Sequence, residues 1–499
     1  ADITIDNDAV ITGNLYASGQ GYTQKDYGKG NAYLDGEANI TVNGGTIKGN
    51  IYGGGEGVNK AGFEKSARVC KNSKVTVEIK GGLIEGYVYG GGKVAEVEGS
   101  TNVIISGGTI KGNVYGGGEA GLTHGRAAVH MANGTVNGSI YGGALGKVGD
   151  RFVYGGSTVN MTGGWVRGNV YGGSELSNDG KSGEQDEKSA SGLVFVNLTG
   201  GTVSGKVFGG GFQGIVNGST HVHIGLGAID KCNYYKSHAE EKPVLDASGL
   251  SVGGSVYAGG DYGGDSADLN YDTITVNGFS HVYIDGTDYS FGAGDTGGKK
   301  MEIAGGVFGS GASCDAGDVR LVTLDHFGAA ASGGGQPEQV TGTVTSIQRA
   351  DQVRLIQTHV RLAGQSDVAN SNQTTPYSLN RIGDKGNFDK LGELGNSLVL
   401  EGGSTLVLDS ASNSVANLKS VDDTESKVVT QADLAHCPNT VVLSTGTVFR
   451  ISNTSQGDSE EYGAVTGYFY MIAGDTADAY AFARAKTETL NPSDGGFVV

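Results

Sequence analysis

The sequence contains few of the residues that staple or interrupt small domains, with 4 cysteines, 5 prolines and 1 tryptophan among 499 residues. Cys70, Cys232, Cys314 and Cys437 lie far apart and form no CxxC pair, which excludes a zinc-ribbon module and a dense disulfide scaffold. The sequence leaves open whether these four cysteines are surface thiols or whether two of them form one long-range disulfide. The scarcity of proline beside 92 glycines, with no three-residue period, excludes collagen.

Positive charge and long apolar runs are also scarce. The sequence has 35 lysines and arginines but 53 aspartates and glutamates, which gives a formal net charge of −18. A surface with this charge repels phosphate backbones. No apolar run approaches the roughly 20 residues of a transmembrane helix. We therefore expect no nucleic-acid partner and no membrane-spanning segment. Residues 1–10 lack signal-peptide features and residues 496–499 carry no anchor, so we expect a fragment of a longer protein.

A glycine-rich unit recurs through roughly the first 310 residues. It reads as strand, Gly-Gly, short strand, Gly, strand, Gly-Gly-Gly, as in ITVNGGTIKGNIYGGGEG from Ile40. An aromatic residue before the glycine triplet marks each copy. The markers are Tyr16, Tyr52, Tyr89, Tyr115, Tyr141, Tyr171, Phe208, Tyr257 and Phe308. Their spacing varies from 26 to 51 residues, which is typical of solenoid coils with loops of unequal length.

Side-chain alternation within the unit predicts one buried face, because successive residues of a strand point to opposite sides. The residues expected to point inward are Ile40, Val42, Ile47, Ile51, Val103, Ile105, Ile110, Val114, Val166, Val170, Val203 and Val207. Three short strands per coil, joined by glycine bends, predict an all-β, right-handed parallel β-helix with a C-terminal β extension or cap. A β-propeller and a row of sandwiches are the alternative folds, but propeller blades suit a more even period.

The pattern divides the chain into three regions. Residues 1–325 are predicted as the repeat β-helix, and residues 326–390, which include AAASGGG, as an irregular transition or linker. Alternating strands return within residues 391–499, which we predict to form further β coils and a C-terminal β cap.

These GG-x-[VI]-x-G-x-[VI]-Y-GGG units, which cover about two thirds of the chain, resemble those of pectin-lyase-like β-helix surface proteins and adhesins of gut and oral anaerobes. The aromatic-rich segment 468–486 resembles the close of such regions. The resemblance implies adhesion or surface display, and it implies no catalytic residues.

The marker aromatics are the first candidate binding residues. By parity they point away from the core, so stacked coils align them into a ladder with a spacing of about 4.8 Å. Such rings either stack and stiffen the stalk or offer an exposed platform for sugar faces. The candidates are Tyr52, Tyr89, Tyr115, Tyr141, Tyr171, Phe208 and Tyr257, with Tyr234 and Tyr235 in an insertion.

Histidines form the second candidate group. His221 and His223 lie two apart in a strand and face outward, and His281 occupies the equivalent stretch of the next unit. Cys232 and His238 follow in a loop, so imidazoles and a thiolate could converge on a transition metal. Surface histidines without a ligand are the commoner alternative.

Acidic loops and glycine runs complete the candidates. One loop contains four aspartates, Asp261, Asp265, Asp268 and Asp272. Such a loop either binds calcium or is simply a solvated acidic cluster. No other cofactor is predicted. Two G-x-G-x-x-G matches, at 116–121 and 209–214, are followed by loop and strand rather than the helix that a dinucleotide site needs.

The residues together favour a secreted or cell-surface adhesin or stalk that binds a host protein or glycan. A polysaccharide lyase or hydrolase and a purely structural spacer are the alternatives. We expect no enzyme activity, because no pair of acids recurs in register between coils. Binding is expected on three insertions, Gly57–Lys74, Glu175–Gly192 and Ile224–Leu250, each leaving the coil after its glycine bend.

Overall fold

In the computed structural model the chain forms an all-β parallel β-helix, and this confirms the predicted fold class. The structure describes residues 1–362 except 22–32, 59–66, 71–72, 148–150, 181–191, 264–273, 292–298, 313, 317–318, 330–340, 346, 349 and 351, and beyond 362 it describes strands alone. The chain divides into two compact units, Ala1–His281 with Ser310–Asp318, and Val282–Gly309 with Val319–Val499.

Each coil of the first unit contributes a long strand, a short strand and an aromatic strand. The long strands are Asp2–Ile5, Ala38–Val42, Lys74–Ile79, Ser100–Ile105, Ala127–Met131, Ser157–Val166, Val194–Val203 and Thr220–Ile224, of which the two that begin at Ser157 and Val194 run on through the short-strand position. The separate short strands are Val10–Ile11, Thr46–Ile47, Leu83–Ile84, Thr109–Ile110, Thr135–Val136 and Leu250–Val252. The aromatic strands are Leu15–Tyr16, Ile51–Tyr52, Val88–Tyr89, Val114–Tyr115, Ile140–Tyr141, Val170–Tyr171, Val207–Phe208 and Val256–Tyr257.

Equivalent positions of neighbouring coils pair in parallel register. Val103, for example, pairs with Val77 on one side and Val129 on the other. All twelve residues predicted to point inward are buried in the core. The register read from side-chain alternation is therefore confirmed for the core face.

Glycines serve two distinct steric needs in most coils. The second residue of the Gly-Gly pair has a positive φ, as at Gly45 (79°) and Gly108 (77°), a conformation that other residues reach only with strain. The first glycine of the triplet lies against the next coil: a Cβ added at Gly116 would sit 2.2 Å from the carbonyl oxygen of Gly142. The repeat therefore requires glycine here for conformation and for close approach.

A fourth position per coil, which the sequence pattern did not predict, lies at the corner between the aromatic strand and the next long strand. Its members pair from coil to coil and comprise Val69, Val97, Thr123, Val153, Asp179, Val216 and Val276. Short strands form there at Arg151–Val153, Asn178–Asp179, Ile274–Val276 and Asp315–Ala316. This corner accounts for Val153, which lies out of phase with the aromatic repeat.

The second unit is also built from strands. They are Met301–Ile303, Val307–Phe308, Arg320–Asp325, Gly342–Val344, Ile347–Gln348, Gln352–Ile356, His359–Leu362, Asn380–Ile382, Leu398–Glu401, Thr405–Leu408, Asn413–Val415, Thr440–Leu443, Phe449–Ser452, Ser459–Tyr462, Gly467–Ala473, Tyr480–Ala485 and Phe497–Val498, while Ser280–Asp285 straddles the division. Parallel strands occur within residues 326–390, where a linker was predicted. Pairing becomes antiparallel at Gly467–Ala473 and Tyr480–Ala485, a β element different from the coils.

Candidate functional site

The marker aromatics of the first unit form one continuous ladder from Tyr16 to Tyr257. Neighbouring ring centroids lie 4.7–5.0 Å apart with interplanar angles of 2–9°. The rings from Tyr52 onward are at most 5% exposed. The predicted ladder is confirmed, and it fits the stacked alternative: from Tyr52 to Phe208 each ring has a ring neighbour on both faces and is not open to a sugar.

Polar side chains close over the ladder's hydroxyl edge. Asn50 Nδ2 donates to the Tyr52 hydroxyl at 3.0 Å, and the Tyr52 hydroxyl donates to Glu119. Tyr115 donates to Glu175 in the same way. Burial, with the adjacent carboxylates, raises the pKa of Tyr52 and Tyr115 far above the ordinary phenol value. These phenols therefore act as hydrogen-bond donors and not as acids.

Acids at this edge recur in register in alternate coils, a pattern that the expectation of no pair of acids recurring between coils did not include. Glu56, Glu119, Glu175 and Asp261 each stand four residues after a marker aromatic, in alternate coils. Tyr171 donates to Asp261 at 3.3 Å. Because the bonds from Tyr52, Tyr115 and Tyr171 each span two coils, inspection of neighbouring coils in the sequence did not reveal the pattern. The described contacts employ these carboxylates as hydrogen-bond acceptors for the ladder.

A second polar cluster lies under a helical insertion. Helices α1 (Leu226–Lys231) and α2 (Asn233–Ser237) and a 3₁₀ turn (Ala239–Glu241) follow the long strand Thr220–Ile224. They pack on the outer face of the long strands, where Phe195, Ile229, Cys232, Tyr234 and Tyr235 form one apolar cluster. Two of the three predicted insertions begin just after the glycine bend that follows the aromatic strand, but Ile224–Leu250 does not, so the common exit expected for all three is wrong.

The insertion buries residues that were predicted to be exposed contacts. Tyr234 and Tyr235 are 8% and 4% exposed and pack on the Phe195 ring with centroid distances of 5.2 and 4.9 Å. His221 and His223 point away from the core, as predicted, but are only 7% and 2% exposed. The prediction that this loop offers an open contact patch is therefore wrong, because its aromatic side chains face the sheet.

His221, His223 and Cys232 converge beneath the helices. One ligand atom from each lies within 4.8 Å of the others, and all three side chains are buried. His223 Nδ1 lies 2.8 Å from Asn197 Oδ1. Asn197 Nδ2 donates to Asn160 Oδ1 at 2.7 Å and to the Tyr235 hydroxyl at 3.1 Å. These amides hold the His223 ring in one orientation.

The cluster is electrically neutral. Burial lowers the pKa of His221 to about 3, with a further contribution from His281, and holds the pKa of His223 well below its ordinary value. Burial also raises the pKa of the Cys232 thiol, although the backbone N–H groups of Tyr235 and Tyr234 act in the opposite direction. Two neutral imidazoles thus face a thiol. His281 is therefore near enough to influence His221, as the sequence predicted.

Asp179 is a buried carboxylate that the sequence analysis missed. It occupies the corner position, where its oxygens accept hydrogen bonds from Ser174 N at 2.8 Å and Ser174 Oγ at 2.6 Å. Burial raises its pKa from 3.8 to about 7. The signal in the sequence is an aspartate at a corner position that is valine in other coils, as at Val69, Val97 and Val153, and it becomes visible only when the corner positions are aligned.

The remaining candidates are only partly described. Asp261 is half-buried at the ladder's edge, whereas Asp265, Asp268 and Asp272 lie outside the described residues, so the calcium prediction stays a prediction. Cys70 and Cys232 are free thiols, Cys314 contacts Thr275 Oγ1 at 3.3 Å and the Gly260 carbonyl oxygen at 3.2 Å, and Cys437 lies outside the described residues. Both G-x-G-x-x-G runs lead into the next long strand.

Comparison with known proteins adds no family. No family model, no curated protein and no solved structure matches this chain. Among the described residues, no helix is long and apolar enough to cross a membrane.

Proposed function

We propose that this chain is a secreted or cell-surface scaffold of the adhesin type, whose β-helix holds inserted segments in place for binding a host protein or a glycan. The first unit supplies the constant part. Its coils pair in register and its aromatic ladder continues through eight coils, so we expect length changes in the links between strands to leave the scaffold intact.

One observation carries the proposal: the links between the paired strands vary greatly in length while the strands stay in register, most often after the acid position, but also at 180–193 after the corner position and at 225–249 after a long strand. The link from the acid position to the corner position is short at 94–96, 120–122 and 213–215. The same link is much longer at 21–33, 57–68, 146–152 and 262–275. Flanking residues still pair, Glu56 with Gln20 and Val69 with Leu34. Variable segments on a constant scaffold are where binding function usually resides.

The recurring acids favour the scaffold over the polysaccharide-degrading enzyme. A glycoside hydrolase needs two carboxyl groups free to protonate a leaving group and to activate water or attack. Glu119, Glu175 and Asp261 instead accept hydrogen bonds from buried tyrosines. Their position supports a structural role.

The corner links provide the experiment. In one variant, residues 57–68 are replaced by residues 94–96, the natural short link of the next coil, and in a second, residues 262–275 are replaced by 213–215. We expect binding on glycan and matrix-protein arrays to fall at least about tenfold (roughly 1.4 kcal/mol) in one or both variants, with the far-UV circular dichroism unchanged. Tyr115→Phe, which alters only the ladder's interior, is the matched control.

Other outcomes identify the alternatives. Arrays that stay blank with the wild-type chain would support a spacer. Release of reducing sugars or unsaturated uronates from a polysaccharide panel, abolished by a substitution of one acid, would replace the adhesin with an enzyme.

A further inference from the structure

We propose that His221, His223 and Cys232 form a transition-metal site with two imidazole ligands and one thiolate ligand, suited to Zn²⁺ or a neighbouring first-row ion. The inference is independent of the proposed function, because it concerns how the helical insertion is held on the sheet.

The three ligands come from two separate elements. His221 and His223 lie on the long strand Thr220–Ile224, and since Val222 and Ile224 occupy the core, both imidazoles project from the same outer face. Cys232 lies between α1 and α2. A bound ion would therefore join the insertion to the sheet.

The spacing is close to that of a coordination sphere. The three ligand atoms lie within 4.8 Å of one another. Around a tetrahedral zinc ion, with Zn–N near 2.0–2.1 Å and Zn–S near 2.3 Å, neighbouring ligand atoms are roughly 3.3–3.6 Å apart. A contraction of about an ångström, reached by small side-chain rotations, brings the three atoms to that separation.

The hydrogen bonds around His223 match the outer shell of a metal ligand. A ligating imidazole commonly donates its second N–H to a carbonyl or carboxylate, which fixes the tautomer. Here Asn197 Nδ2 donates to Asn160 Oδ1 and to Tyr235, so its Oδ1 is the acceptor for His223 Nδ1–H. His223 Nε2 then carries the free lone pair. Within the described residues, the ring nitrogens of His221 make no hydrogen bond.

The surroundings favour a metal over a catalytic cysteine. A reactive thiolate needs an electropositive and accessible environment, whereas Cys232 is 6% exposed and lies in an apolar cluster with Phe195 and Tyr235. Burying two imidazoles and a thiol costs free energy wherever a ring nitrogen such as that of His221 lacks a hydrogen-bond partner among the described residues. Three protein ligands would offset that cost on binding an ion and leave a fourth position for water or another small ligand.

The test uses the full chain without a polyhistidine tag. Titration with Co²⁺ followed by absorption should give one equivalent bound, with a near-ultraviolet thiolate-to-cobalt band that Zn²⁺ abolishes by displacement. Cys232→Ser should remove the band and weaken binding at least about 100-fold, and Asn197→Ala should weaken it about 10–100-fold. His238→Gln, an imidazole on the same insertion, and Cys70→Ser should bind as the wild type does.

Zinc X-ray absorption of the wild-type protein keeps the proposal testable if a variant fails to fold. A first shell containing one sulfur with nitrogen neighbours would support it. A shell of nitrogen and oxygen alone, no binding by the wild type, or equal binding by Cys232→Ser would overturn it. None of these results depends on the array experiments.

Discussion

Asp179 holds a carboxyl group inside the first unit, where Ser174 is its hydrogen-bond partner. Because burial disfavours the charged form, its pKa in the folded protein is about 7, against 3.8 ordinarily. The folded state therefore binds a proton more tightly than the unfolded state. The stability that this protonation contributes is fully present below pH 3.8 and is lost as the pH rises through about 7.

Asp179→Asn should remove this dependence, because asparagine mimics the protonated acid. From Asp179 alone, the wild-type free energy of unfolding should fall by roughly 4 kcal/mol between pH 4 and pH 8. Chemical denaturation at several pH values, followed by circular dichroism, measures the slope. Asp8→Asn, at an exposed aspartate, should retain it. Equal slopes for wild type and Asp179→Asn would contradict the assignment.

Individual residues also show how far sequence reasoning reaches. The inward positions from Ile40 to Val207 were predictable, because a strand alternates its side chains. Burial of His221 and Cys232 was not, since it depends on where a 25-residue insertion folds back, and local periodicity carries no information about that contact.

At the scale of one element, the aromatic ladder was predicted from the recurrence of Tyr-Gly-Gly-Gly, but its burial was not. The aromatic strands are only two residues long, and both residues are buried, as at Ile51 and Tyr52. Side-chain alternation predicts that one of these two residues is exposed to solvent, but this holds only when no other part of the chain covers the outer face of the strand. Here the chain turns at the triplet and brings side chains such as Glu119 to the tyrosine hydroxyls.

Two substitutions at Tyr115 separate the ring from its hydroxyl. Tyr115→Phe keeps the stack, as Phe208 does naturally, but leaves Glu175 and Asn113 without this partner. We expect a loss of about 1–3 kcal/mol. Tyr115→Leu removes the ring as well and should cost about 3–5 kcal/mol. Urea denaturation measures both, and a smaller loss for leucine than for phenylalanine would refute stacking as a stabilising contact.

At the scale of the whole first unit, each coil contacts chiefly its neighbours, so damage should stay local. Gly116→Ala would push a methyl group onto the Gly142 carbonyl, and we expect a loss of about 2–4 kcal/mol. Hydrogen exchange should accelerate in Ser100–Ile105 and Ala127–Met131 and stay unchanged in Asp2–Ile5.

Gly13→Ala is the matched control, since no atom lies within 4 Å of an added Cβ there. Its effect should stay within about 0.5 kcal/mol. Uniform acceleration of exchange across all strands in Gly116→Ala would show that the unit unfolds as one cooperative body.

The hydrogen bonds that the tyrosine hydroxyls of the ladder donate have a consequence for how a β-helix of this kind gains coils during evolution. Tyr52 reaches Glu119, Tyr115 reaches Glu175 and Tyr171 reaches Asp261, each time passing over an intervening coil. Duplication of one coil would place a tyrosine opposite the wrong neighbour, whereas duplication of two preserves every donor and acceptor. For these three hydrogen bonds the repeating module is a pair of coils, and we expect a gene that grows by unequal crossing-over to gain or lose coils two at a time.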